Sequence, residues 1–298
     1  MILQMLVSSV LVPGLVALTL SLFLWKARYR QQESSPYWAS AAILAVSFLT
    51  GWVLMRGIPK WPVTDSAGWL PVLAIGGLAL GLLVSMQKLH GVTTGVLRLL
   101  ACLGTVWVST QSLQQHTWKG TAGIWIAGLT LILFLVWNCW ELVASRSPGP
   151  RAPLMLALFF TGLAILALLG ETATISQLTG VLCAALGAMF VAALIRPALS
   201  LSQAALFVAM PLFGGLLLNA HFYAGMELLQ TVLLLSCSAL ALLGLQLTKR
   251  SSGLAGIALA ALIMFLPALL GIGWELLNRE PHSDSSGMDE YYEDYYGY

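Results

Sequence analysis

Polar side chains set into long apolar stretches are where chemistry would reside in this chain. An ionisable group inside a bilayer is costly and marks function by default, and few are present. Arg98 stands seven residues into the apolar stretch 91–110, about 10 Å along a helix. Two readings are open for it: a side chain that snorkels to the headgroups, or one that faces the bundle and meets an anion or lipid headgroup. Asn138 and Glu141 are three residues apart, hence on one helical face, with Trp137 and Trp140 on the next. If buried, Glu141 is the best proton or cation ligand in the chain; otherwise it is interfacial. The run NAHFYAGMELLQ, residues 219–230, brings Asn219, His221, Tyr223 and Glu227 close in sequence. His221 there is either a pH-sensitive group or part of a hairpin's polar turn, and Glu171 is expected to face the same surface.

Other chemistries lose ground by absence. Paired axial histidines at depth, as a transmembrane b-type haem generally needs, are missing: His90, His116, His221 and His282 lie near segment ends or in the tail. No Walker A loop, HExxH or GxSxG occurs. Asp65 is the only aspartate before the tail, so the aspartate-rich motifs of prenyl transfer are absent. Cys102, Cys139, Cys183 and Cys237 stand singly within apolar segments and read as small buried hydrophobes. No catalytic, cofactor or metal residues are assigned, and enzyme activity is the least supported class.

The elements that must position these residues are membrane spans. The chain of 298 residues is 59% hydrophobic and 9% charged, against about 25% charged in soluble domains. Apolar segments lie at about 2–25, 37–55, 69–86, 91–110, 123–145, 153–170, 177–195, 198–218, 226–247 and 253–274. Lipid offers backbone groups no hydrogen-bond partner, so these must be helices; a β-barrel would alternate polar and apolar residues. The expected fold is therefore all-α, a polytopic transmembrane bundle of ten spans, with the pair 177–195 and 198–218 as a candidate re-entrant element. Nine of the basic residues fall in loops on one side, including Lys26, Arg28, Arg30, Lys249 and Arg250, and four on the other. The positive-inside rule makes the first side cytoplasmic and both termini external. The N-terminus reads as a first span rather than a cleavable signal peptide, because its charges follow the apolar stretch. Compact loops suggest a prokaryotic inner membrane.

Two domains are expected, a helical domain over 1–278 and an acidic, tyrosine-rich tail over 279–298. Tyr291, Tyr292, Glu293, Asp294, Tyr295 and Tyr296 form a candidate partner-binding segment. Arg56 precedes Pro71, and Arg196 precedes Pro211, by the same fifteen residues, each proline being followed by a glycine pair. The hairpins are five spans apart, which suggests a weak five-plus-five inverted repeat. The prolines at 71, 211 and 267 are expected to kink or break their spans. Glycine patterns at 76, 77 and 81, at 180 and 187, and at 253 and 256 are expected to allow close helix approach. In number and length of spans the chain resembles the drug/metabolite transporter architecture. Its termini, inferred to be external, depart from the cytoplasmic termini usual there, and no residue is carried over. The expected function is a non-catalytic subunit or scaffold of a larger membrane assembly, bound to lipid and to other membrane proteins and not to nucleic acid. The alternative is a ten-helix permease for a neutral or amphiphilic solute.

Overall fold

The computed structural model describes residues 7–28, 38–59, 61–63, 65–87, 91–147, 149–170, 172–195, 201–248 and 254–278. Ten helices within them are long and apolar enough to cross a membrane, and no strand occurs among them. They are α1 (Val12–Arg28, led in by a π-helical turn Val7–Leu11), α2 (Ala39–Arg56), α3 (Leu70–Gln87), α4 (Gly91–Ser109) and α5 (Ala122–Arg146). The second half comprises α6 (Arg151–Leu169), α7 (Ala173–Ile195), α8 (Gln203–Tyr223), α9 (Leu228–Leu247) and α10 (Leu254–Asn278). A short helix, Gln111–His116, joins α4 to α5. The chain is a polytopic helical membrane protein.

Several hydroxyls inside these spans are satisfied locally, although Ser47, Ser109 and Thr130 are buried without a side-chain hydrogen bond. Ser21, Thr50, Thr105, Thr161 and Thr179 each donate to the carbonyl four residues back. Such bonds spare the spans an unpaired polar group where no water is present.

Helix α8 is the axis. Every residue from Ala204 to Ala220 is buried, as expected of a helix that is apolar on all sides. Helices α2, α3, α4, α5, α9, α6 and α7 surround it, each packing on the next in that order and the last on the first. Helix α1 lies outside this ring against α2 and α7, and α10 lies outside against α6 and α9. Consecutive helices pack together in both halves, and α2 meets α7 and α3 meets α8. The roles differ all the same, since α8 is central whereas α3 belongs to the ring. Helices α7 and α8 are separate full-length spans rather than one re-entrant element.

Helix α3 approaches α8 closely at two glycines. A Cβ on Gly77 would fall 2.2 Å from the Phe207 carbonyl oxygen, and one on Gly81 would fall 2.7 Å from that of Ala204. Pro211 has no N–H to offer Phe207, four residues earlier, so that carbonyl loses its helical partner. The bare backbone of Gly77 covers it. Pro211 and Pro267 lie inside continuous helices, and Pro71 sits in the first turn of α3, so none breaks its span. A first-turn proline removes no helical bond. Gly180 and Gly187 face open space, as does Gly76; of the small-residue pairs expected to bring helices together, Gly77 with Gly81 does so.

Candidate functional site

Helix α4 turns its polar residues inward. Thr94, Arg98, Cys102, Thr105 and Ser109 are buried, whereas Val92, Val96, Leu99, Leu100, Leu103 and Trp107 are exposed. The spacing of three and four residues places the first set on one stripe. This inverts the pattern of a water-soluble helix, because lipid takes the apolar face and the bundle takes the polar one.

Arg98 meets Glu141 of α5 along that stripe. The guanidinium pairs with both carboxylate oxygens, through NH1 and NH2. The side chains are 10% and 15% exposed, so neither charge is left to the bilayer. Asn138, one turn before Glu141, presents its Oδ1 to Arg98 at 3.5 Å and donates its own amide to Phe134 O at 2.7 Å. Gln203, at the start of α8, donates to Glu141 Oε1 at 3.0 Å. One charged node thus ties α4, α5 and α8 at the end of the bundle that carries the basic loops. Arg98 reaches inward rather than toward the headgroups, and its charge is met by Glu141, which leaves no unmatched cation for an external anion.

Beside the node, the tryptophans of α5 are core residues. Trp137 packs edge-on to Phe207, with centroids 5.0 Å apart. Trp140 is fully buried and donates its Nε1 hydrogen to Ser238 of α9 at 3.1 Å. Close by, Ser40 and Ser202 share a hydrogen bond of 2.6 Å that pins the start of α8 to the start of α2.

At the opposite end the polar contacts are dispersed, and the ion pair there, Arg56 with Asp65, is about one-third to one-half exposed. Helix α8 begins and ends five residues later than the apolar run suggests, so Asn219 and His221 lie within it rather than in a hairpin turn. Asn219 donates to Gly215 O at 2.7 Å and accepts the Ser66 hydroxyl at 2.5 Å. His221 Nδ1 lies 2.9 Å from Met226 O and 3.2 Å from Thr231 Oγ1. A carbonyl only accepts, so Nδ1 carries the proton in that bond. Glu227 is the residue before α9, and its N–H donates to Gln230 Oε1 at 3.2 Å, half of a capping box. The Gln230 amide then donates to Glu275 of α10 at 2.6 Å. Tyr223 reaches Ser109 O at 3.3 Å.

No family model matches the chain, and no curated protein or solved structure is similar to it. The arrangement itself is therefore what speaks to function. Among the described residues no group of three or more His, Cys, Asp or Glu side chains is placed to hold a metal ion.

The six intramembrane candidates divide cleanly. Arg98, Asn138 and Glu141 come together in one node. Asn219, His221 and Glu227 gather at the other end without forming one cluster. Tyr291, Tyr292, Glu293, Asp294, Tyr295, Tyr296 and Glu171 lie outside the described residues. Sequence reasoning missed Gln203, Gln230 and Glu275. The last two are separated by 45 residues, and nothing local pairs them. The inward stripe of α4, by contrast, was present in the spacing of Thr94, Arg98, Cys102, Thr105 and Ser109.

Proposed function

We propose that the chain is a non-catalytic subunit or scaffold of a larger membrane assembly, with the acidic, tyrosine-rich residues 279–298 as its docking element. In this reading it resides in a prokaryotic inner membrane with both termini outside the cytoplasm. The observation that carries the reading is the filled axis: seventeen consecutive buried residues of α8, Ala204 to Ala220, occupy the place a solute path would need. The Arg98–Glu141 node is matched internally and holds three helices rather than presenting a reactive group. A rigid, lipid-facing body with an adhesive tail suits assembly. The test is the native mass and composition of the protein extracted in mild detergent, with and without residues 283–298. A stoichiometric partner lost on deletion is expected; the same composition with and without the tail would overturn the docking role.

The permease reading has one observation in its favour. An apolar recess of about 190 Å³ opens among α4, α5, α8 and α9, lined by Trp125, Leu129, Gly214 and Phe222, with His221 and Thr231 as its polar groups. It has the character of a site for an amphiphilic solute. A lone monomer or homodimer in detergent, together with labelling near Pro71 and Pro211 that switches sides, would favour it over the subunit.

A further inference from the structure

A second recess, of about 300 Å³, lies at the end of the bundle opposite the basic loops, between the 61–69 segment and the short helix Gln111–His116. Asp65 and Trp69 form one side, and Gln111, Ser112, Gln115 and His116 form the other. Gln111 with Gln115, and Ser112 with His116, are four residues apart, so the short helix presents two adjacent polar pairs to one cavity. Gln114, on the same helix, is instead bonded to Trp107 O at 2.9 Å and to Thr110 Oγ1 at 3.0 Å, and does not line the recess.

The walls are held in place. Asp65 pairs with Arg56 at 3.1 Å, and its other oxygen accepts the Gly68 N–H at 3.1 Å. A Cβ on Gly68 would fall 2.4 Å from that oxygen, so a side chain there would displace the carboxylate. Ser66 is anchored to Asn219 of the central helix. Trp69 meets Trp61 in a T-shaped contact with centroids 6.2 Å apart.

We propose that this recess binds the polyhydroxylated ring of a sugar, either free or as the headgroup of a glycolipid. Three features carry the inference. Asp65 is already paired with Arg56, so its carboxylate does not stand alone as a cation ligand and the wall suits a neutral ligand. Each glutamine amide both donates and accepts, as vicinal hydroxyls require, and two such amides stand side by side with a serine, a histidine and a carboxylate. Trp69 adds an aromatic wall that combines apolar area with a polar edge, suited to the C–H face of a pyranose. The volume is at the low end of small-ligand sites, which run from roughly 300 to 1,000 Å³, so it fits one ring and not a chain of them. The inference is independent of the subunit reading, since a monomer would retain the site.

The test uses the full chain in phosphatidylcholine nanodiscs. Saturation-transfer NMR with methyl α-glucoside, methyl α-galactoside and methyl α-mannoside reads the free sugars. Native mass spectrometry of nanodiscs containing glucosyl- and galactosyl-diacylglycerol reads the lipid-borne ones. Transfer to a free glycoside assigns a soluble ligand, and retention of glycolipid alone assigns a headgroup. Either signal should fall about tenfold in the Gln111→Ala/Gln115→Ala variant, the loss expected for two neutral hydrogen bonds, and should persist in Gln114→Ala. The proposal is overturned if neither source binds, if the double variant binds as the native chain does, or if the open-chain polyol sorbitol gives the same transfer as the glycosides. The exposed glutamines contribute no core packing, so the double variant should fold; an unchanged circular dichroism melt verifies this.

Discussion

The two ends of the bundle solve one problem by different means. At the basic-loop end, Arg98 and Glu141 are both ionised side chains held away from water, and the only adequate partner for each is the other. Asn138 and Gln203 complete the node by occupying what the pair leaves open. At the far end Asn219, His221, Gln230 and Tyr223 each bond to nearby carbonyls or side chains of their own rather than to one shared node. The comparison teaches that a buried ion pair concentrates dependence on a few atoms, whereas dispersed polar contacts spread it. The first end should fail abruptly when one partner is removed, and the second by degrees.

Removal of one charge from the node is the harshest test. Arg98→Ala or Glu141→Ala leaves a buried charge unpaired and should lower stability by about 3–5 kcal/mol, whereas an Arg98→Met/Glu141→Leu double variant should recover most of the loss. Unfolding in nanodiscs, followed by tryptophan fluorescence, would measure both. If the single variants match the native chain, the node is not the concentrated element described above.

Between the two ends stands the α3–α8 crossing, which has no side-chain hydrogen bond to lose. Gly77→Ala forces a methyl against the Phe207 carbonyl and should cost about 1–3 kcal/mol, as overpacking does. Gly76→Ala meets open space and should be neutral within about 0.5 kcal/mol. Equal melting of the two variants would show that the crossing is slack.

At the far end, Asn219→Ala should cost about 0.6–1.7 kcal/mol, the range found for single hydrogen bonds between membrane helices. A loss as large as that of the Arg98 variant would erase the contrast between the ends. The smallest effect belongs to Gln203→Ala. Its amide sits at the exposed rim of the node, and its loss should stay within about 0.5 kcal/mol. A larger effect would mean that α8, and not only α4 and α5, depends on Glu141.

Much of the fold was legible in the sequence, because lipid imposes a minimum length and an apolar composition that each span must meet on its own. All ten spans satisfy it. Their order around α8 was not legible, since apolar faces carry no address. The extreme burial of α8 is matched by an even apolar composition, yet α7 and α10 are more apolar still, with mean hydropathy of 2.4 against 1.7. Hydropathy therefore did not single out the centre. The shift of α8 arose because residues 198–202 read as apolar enough to begin the span, whereas Ser202 is extended and precedes the helix. Arg98, Asn138 and Glu141 were recognisable individually as costly residues. Their convergence was not, because α4 and α5 meet through packing that leaves no periodic mark. The sugar-sized recess depends on the same kind of distant meeting, between residues 65–69 and 111–116.

The placement of α8 also bears on how the protein is made. The central helix follows seven of the described spans in the chain, and assembly proceeds from the N-terminus as synthesis does. The ring helices α2 to α7 precede it and until then lack the surface on which they pack. Arg98 and Glu141 are already in the membrane during that interval, and Gln203 arrives with α8 as the last member of their node. The tight fit of Gly77 and Gly81 is thus met when α8 arrives, before α9 completes the ring.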